Sequence, residues 1–462
     1  MDSNSHQTLP GPGQLSALRS LRQHDFLTYV GQLWDTYGDT FQLRLGQRTL
    51  IFAMHPEAVR HINIANCTNY DKLGSYDDVR RFLVGEGLVA STGELWRRQR
   101  RLMSPFYTPR GVQAYADIML QDGGQLLERW EKFAQSGRAV DIGEEMTLVT
   151  ASIILKTMFS TETDEAIVEM KDAVETMISF TNNRQTGMKV PLWLPTRANR
   201  NYTAARQQVH GYISELIAQR RLLPEDQWPN DLLTRLMQAR DEETGGRMSE
   251  HLLRDESITT FFAGHETTAR TMSATWYALA SNPAAAARLH EELDAVLGDR
   301  NPQVEDLHRL PYTLQVIKEV LRLYPPAPVY VRDALEADTM DGYTIPAGSA
   351  VMLSPYFTHR HPDFWENPLQ FDPERWTPER EAARHPYAYH PFAAGQRICI
   401  GNNFSLLESH ILLALLARRF APQLAPGYTP DWVMRGVLST ANGMSMLIEE
   451  RRPELRRAYL QN

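Results

Sequence analysis

The stretch HPFAAGQRICIGNNFSLLE, residues 390–408, holds one of only two cysteines in a chain of 462 residues. Cys399 stands between Gly395 and Gly401, with Arg397 two positions before it. Residues 402–420 read as a helix, so the cysteine sits at a helix entrance. A thiolate is a strong soft ligand, and its pKa falls beside cations and at helix N-termini. Both conditions are expected here. Gly395 permits a tight turn, and Gly401 removes a Cβ where a flat partner could approach.

A zinc site would need three more ligands. The other cysteine, Cys67, is over 300 positions away, and there is no Cys/His cluster. A thiol protease would need a histidine partner that the local sequence does not specify. A thiolate acting as the single protein ligand of a haem fits the stretch better; a buried structural thiol is the alternative. FAAGQRICIG resembles the haem-binding loop of the cytochrome P450 family, Phe-x-x-Gly-x-Arg-x-Cys-x-Gly. The match covers Phe392, Gly395, Arg397, Cys399 and Gly401. Ala393 departs from it, since the family often has glycine there. The resemblance implies haem b with Cys399 as the axial ligand of its iron, and that class of haem uses a cysteine thiolate.

Three further segments resemble the same family, in family order. AGHETT, residues 263–268, lies in a long helical pattern over Glu250–Ser281. Glycine and threonines weaken a helix locally, and a Thr hydroxyl can engage a backbone carbonyl. Alone, the segment could be a solvated turn. By resemblance, Thr267 gives a hydrogen bond at the oxygen site, Glu266 delivers protons, and Gly264 leaves room for oxygen. His265 receives no role beyond a surface or inter-helix contact. Glu319 and Arg322 share a helix face. By resemblance they join Arg375 of FDPERW in a buried ion network; the alternative is a surface pair. Trp96 and Arg100 lie one turn apart, and indole and guanidinium donors suit carboxylates. By resemblance they bind haem propionates with Arg332 and Arg397. Arg97, Arg98 and Arg101 are either a solvated face or a docking patch for an acidic electron donor.

The expected fold is mostly α with a smaller β portion, the cytochrome P450 fold, as one domain over residues 1–462. Residues 1–20 form a Pro/Gly lead, and no fused reductase is expected. A hairpin is predicted across Gly46 and Gln47, and a turn at Asp341 and Gly342. Asn282 is expected to cap a helix that starts at Pro283 and ends before Gly298. A helix before Pro325 and Pro326, short strands after it, and strands and turns over residues 430–450 complete the pattern. By resemblance, the substrate pocket is assigned to Phe261, Phe262, Ala263, Gly264, Val329 and Tyr330, with residues 70–87 and 440–444 nearby; core packing is the alternative for each.

A formal net charge of −8 and no long basic run argue against nucleic acid binding. Two thiols make no disulfide framework, and the N-terminus has no apolar signal core or spanning helix, so a cytoplasmic monomer is expected. Residues 188–196, MKVPLWLPT, are the one candidate for membrane contact; a loop packed on its own protein is the favoured reading. The family resemblance implies a monooxygenase that uses O2, a small hydrophobic substrate, and electrons ultimately from NAD(P)H. A separate ferredoxin, flavodoxin or reductase would deliver them. A peroxide-driven peroxygenase and a non-catalytic haem-thiolate sensor are the alternatives. PLWLPTRANR looks like its counterpart in bacterial members related to fatty-acid and carotenoid hydroxylases.

Overall fold

The structure, a computed structural model, describes residues 8–46, 48–160, 164–186, 189–241, 243 and 245–451. Its central element is the helix Glu250–Ser281, with the bounds the sequence predicts. Ser249 starts it by accepting the Leu252 amide at 3.3 Å, which satisfies one of the unpaired first-turn donors. The helix runs unbroken through AGHETT. The hydroxyls nonetheless bond back onto their own helix, the contact through which local weakening is expected. Thr259, Thr267, Thr271 and Thr275 each donate to the carbonyl four residues earlier, at 2.7–3.0 Å.

The central helix packs most extensively on the helix Ile142–Phe159. A Cβ on Gly264 would lie 3.1 Å from the Ile154 side chain. The glycine thus permits close packing of the two helices. The next helix, Pro283–Leu297, follows Asn282 and ends at Gly298, whose φ is 56°. Asn282 occupies the cap position, but its amide donates back to Ala278 at 2.7 Å and caps nothing. The helix Pro311–Leu323 stops before Pro325 and Pro326, as the missing proline donors require.

A five-stranded sheet flanks the helices, in the order Thr40–Leu45, Arg48–Ala53, Ala350–Leu353, Tyr330–Ala334, Tyr70–Asp71. The first two strands are the predicted hairpin; Gln47 of its turn lies outside the described residues. The third runs parallel to the second, and the other pairings are antiparallel. The small hairpin Asp338–Met340 and Tyr343–Ile345 turns at Asp341 and Gly342, with φ of 51° and 78°. Positive φ at both centres suits the right-handed twist of the strands.

The expected Pro/Gly lead is shorter than 20 residues. A helix begins at Gln14 and a second spans Phe26–Tyr37. The second helix buries Leu27, Tyr29, Val30 and Leu33 in the cluster that holds Phe41 and Phe52 of the hairpin. Residues 1–7 of the lead lie outside the described residues. The last long helix, Asn402–Ala417, ends three residues earlier than predicted, and strands Trp432–Arg435, Val437–Thr440 and Ser445–Leu447 follow.

The loop before Arg197 is tied to its own protein, by Lys189 to Asp78 at 2.6 Å and by the Asn199 side-chain amide to the Pro191 and Leu194 carbonyls at 2.8 and 2.7 Å. Trp193 at its tip is 80% exposed, and Leu192 and Leu194 are also exposed; Met188 lies outside the described residues. Among the described residues, no helix is long and apolar enough to cross a membrane.

Candidate active site

The cysteine loop is a tight turn held by its own backbone. The Cys399 amide donates to Phe392 at 2.8 Å, and the Ala393 amide to His390 at 3.0 Å. Gly395 has φ of 68°, and a Cβ there would come within 2.0 Å of the Asn63 carbonyl, so only glycine fits. Ala393 has φ of 61°. The family's frequent glycine would take that left-handed conformation without the Cβ cost, roughly 1 kcal/mol. At Gly401, a Cβ would meet only Cys399 Sγ within 4 Å, at 3.9 Å. Space therefore stays open beside the thiol.

Cys399 is exposed although it lies in the interior, as expected of a thiol facing an internal cavity. Burial pushes its pKa up, against the Gly401 amide, Arg100 and Lys72, which pull it down. The expected low pKa is therefore corrected. Desolvation of the thiolate outweighs the nearby positive groups, and a coordinated cation is what holds such a thiol deprotonated.

Around the thiol the fold gathers cations from segments far apart in sequence. Arg100 Nη1 donates to the Ile398 carbonyl at 2.7 Å. Arg397 lies over the Trp96 ring at 3.8 Å, donates to the Ser91 carbonyl at 3.0 Å and pairs with Asp71. Arg332 is buried in its strand and donates to the Val331 carbonyl. Lys72, which the sequence reading missed, donates to the Val89 carbonyl at 2.8 Å. Its pKa is driven well below the usual lysine range, first by burial and then by Arg332 and Arg397. No local motif marks Lys72. It reaches the site only because Tyr70–Asp71 pairs with the strand that carries Arg332.

Three arginines and Lys72 thus gather around the thiol, and among the described residues Asp71, paired with Arg397, is the one carboxylate that ion-pairs with any of them. Asp333, next along the strand, is taken up by Leu73, Ser75 and the Ser75 hydroxyl at 2.5–3.2 Å. Buried positive charge in such excess needs anions. The two propionates of haem and the thiolate answer it, so these residues fit the group. Lys72→Met is expected to speed haem loss about tenfold or more, because a hydrogen bond to a charged group contributes roughly 1.5–3 kcal/mol. Transfer of haem to excess apomyoglobin measures this, and an unchanged rate removes Lys72 from the site.

On the central helix, Thr267 Oγ1 donates to Ala263 at 2.8 Å. Glu266 is buried; its Oε1 is 3.5 Å from Arg270, and its Oε2 has no hydrogen-bond partner among the described residues. Burial raises its pKa, and Arg270 opposes the rise. Phe262, Ala263, Gly264 and Thr267 keep accessible surface. Phe261 does not. It is fully buried and stacks on His265, with ring centroids 4.7 Å apart. Its assignment to the pocket is corrected: it sits on the opposite side of the helix, in the core. His265 is not at the surface either. Its Nδ1 donates to the Phe261 carbonyl at 2.8 Å, and burial lowers its pKa to about 4.

Val329 is half-buried against the cluster of Phe41 and Phe52. Tyr330 lies beside the cations: Arg332 stands over its ring at 4.9 Å, and Asn63 donates to its hydroxyl at 3.2 Å. The residues near 440–444 are tied down, since the Met444 amide donates to Asp141 at 3.0 Å. The basic residues beside Trp96 are largely paired. Arg97 meets Glu94, and Arg101 meets Asp241 and Glu243. Arg98 donates to the Arg247 carbonyl at 3.1 Å. They do not form the open positive patch that the sequence allowed.

The ion network is as predicted. Arg322 Nε and Nη2 donate to the two Glu319 oxygens, each at 2.8 Å, and both residues are 0% exposed. Arg375 Nε lies 3.4 Å from Glu319. Trp376 Nε1 and the Asp372 amide complete the carboxylate's shell at 3.1 and 2.9 Å.

Comparison with known proteins agrees with this geometry. The sequence pattern described as Cytochrome P450 matches residues 7–447. Cyclooctatin synthase of Streptomyces melanosporofaciens is 34% identical over 426 residues, 91% of each chain. Pentalenene oxygenase of Streptomyces avermitilis is 31% identical, over 84% of this chain and 85% of its own. Carotene epsilon-monooxygenase of Arabidopsis thaliana is 29% identical, over 90% and 80%. A crystal structure of the cytochrome P450DA heme domain superposes with a TM-score of 0.84 at 28% identity, covering 96% of this chain and 94% of that one. A family match across nearly its whole length shows that the chain belongs to the cytochrome P450 family, the haem b monooxygenases that use O2 and electrons from NAD(P)H.

Proposed function

We propose that the protein inserts one oxygen atom into a small hydrophobic molecule, by hydroxylation or epoxidation. It acts as one cytochrome P450 domain, with electrons from a separate ferredoxin, flavodoxin or reductase. The observation that carries the reading is the buried Glu266 beside the partly exposed Thr267, a pair that neither a sensor nor a peroxide-driven enzyme needs. Cys399, Lys72, Trp96, Arg100, Arg332 and Arg397 would hold haem, which would supply O2 activation.

The chain's own residues place the substrate and the protons. Phe262 and Ala263, which keep accessible surface on the central helix, would wall the substrate and exclude water from the reacting carbon. Relatives named for pentalenene and carotene support a hydrophobic substrate. Glu266 holds a proton more readily than an exposed carboxylate does, since burial raises its pKa. Its free Oε2 is the atom that gives the proton up. Thr267 donates to Ala263 at rest; rotation of its hydroxyl turns the same proton toward the oxygen site.

Thr267→Ala is expected to keep its haem and its thiolate spectrum. Coupling of electrons to product should fall about tenfold, with peroxide rising in its place, within the usual range for losing one positioned proton-transfer group. Peroxide and product formed per NADPH consumed are the readouts. Coupling equal to the parent's would take Thr267 out of the mechanism.

A further inference from the structure

Away from the thiol, a cavity of about 490 Å3 opens between three elements. They are the segment Arg80–Val84, the helix Arg197–Leu222 and the first turns of the central helix. Four arginines line it: Arg80, Arg81, Arg206 and Arg254. Arg80 is already committed. It bonds Asp77 at 2.9 Å and the Ala90 carbonyl at 2.6 Å, and lies 3.9 Å from Glu86. Asp255 is committed too: its Oδ2 accepts the Glu86 amide at 2.8 Å and lies 3.3 Å from His251.

The other arginines have no such partner. Arg254 approaches Asp255 only at 4.0 Å, and its buried Nε has no hydrogen-bond partner among the described residues. Arg81 lies over the Phe82 ring at 5.3 Å, and neither it nor Arg206 has an ion pair among the described residues. His210 adds a ring with little positive charge, because burial, Arg206 and Arg254 lower its pKa to about 4. Asp77 and Glu86 also line the cavity but face Arg80, so Arg81, Arg206 and Arg254 have Asp255 as the one nearby lining carboxylate. That excess of guanidinium over carboxylate leaves fork-shaped donors for an oxyanion. Phe82 and Leu83 add apolar wall, which suits an organic body behind the charged end.

We propose that this cavity binds a small organic anion whose carboxylate or phosphate is held by Arg206 and Arg254. An occupant abuts Gly85 and Glu86. The same loop continues to Val89 and Ser91, whose carbonyls take Lys72 and Arg397 at the haem edge.

Calorimetric titration of the haem-loaded protein with inorganic phosphate and with succinate, at an ionic strength fixed by sodium chloride, tests this. Saturable binding of one equivalent is expected, and the better ligand separates a phosphate from a carboxylate source. Arg206→Gln and Arg254→Gln are each expected to weaken binding about tenfold, the loss of one charge-assisted contact. Arg206 is exposed, so its replacement leaves the fold intact, and an unchanged Soret band verifies that. Arg19→Gln, on the first helix, is expected to bind like the parent. Heats of dilution alone for both ligands overturn the proposal. So does undiminished binding in either cavity variant.

Discussion

Cys399→Ser is expected to abolish the red-shifted Soret band of the reduced carbon-monoxide complex, and all oxygen-driven turnover with it. A hydroxyl is a harder and far weaker donor than a thiolate. The loop itself should persist, because its amide bonds from Cys399 to Phe392 and from Ala393 to His390 do not involve the sulfur. Far-ultraviolet circular dichroism should therefore match the parent. The two readouts separate loss of the ligand from loss of the fold. Survival of the band would assign the iron to another group, with Cys67 the one other thiol in the chain.

Glu319→Gln is the substitution expected to damage the fold most, by about 3–5 kcal/mol. Glu319 holds two guanidiniums, a tryptophan N–H and a backbone amide in a site with no solvent. A carboxamide keeps the shape but turns one acceptor into a donor that faces Arg322. It also leaves Arg322, itself 0% exposed, without a counter-ion. The urea midpoint of the haem-loaded protein and the yield of soluble protein measure the loss. A midpoint within experimental error of the parent would show that the network is not what holds this face of the molecule together.

Local signals were legible where one short stretch determines the outcome. Ser249 followed by an apolar run marks the start of the central helix, and paired prolines mark the stop after Leu323. The Cys399 loop and the Glu319–Arg322 pair could be read because their spacing is itself the geometry. Faces were less legible. Phe261 and Phe262 are adjacent and chemically alike, and only the packing of the helix Ile142–Phe159 decides which one enters the core.

Assembly across the chain was the least legible. Lys72 joins Arg332 through a two-residue strand with no signature. The low thiol pKa expected of Cys399 failed because the sequence shows neighbouring charges but not the extent of desolvation. The N-terminal helices were missed because prolines and glycines at the opening masked a short amphipathic pattern that the hairpin then covers.

The order of strands in the sheet also governs how the molecule is born. Arg48–Ala53 aligns with Ala350–Leu353, and Tyr70 with Ala334, so the sheet closes on contacts nearly 300 residues apart. Non-local pairings of this kind slow folding, since a long loop must close before any contact rewards it. On the ribosome, a nascent chain that stops short of Cys399 has Lys72 and Trp96 but not the Cys399 thiol. The residues that would hold haem therefore meet only late in synthesis, after an interval in which partly folded surface is open to aggregation.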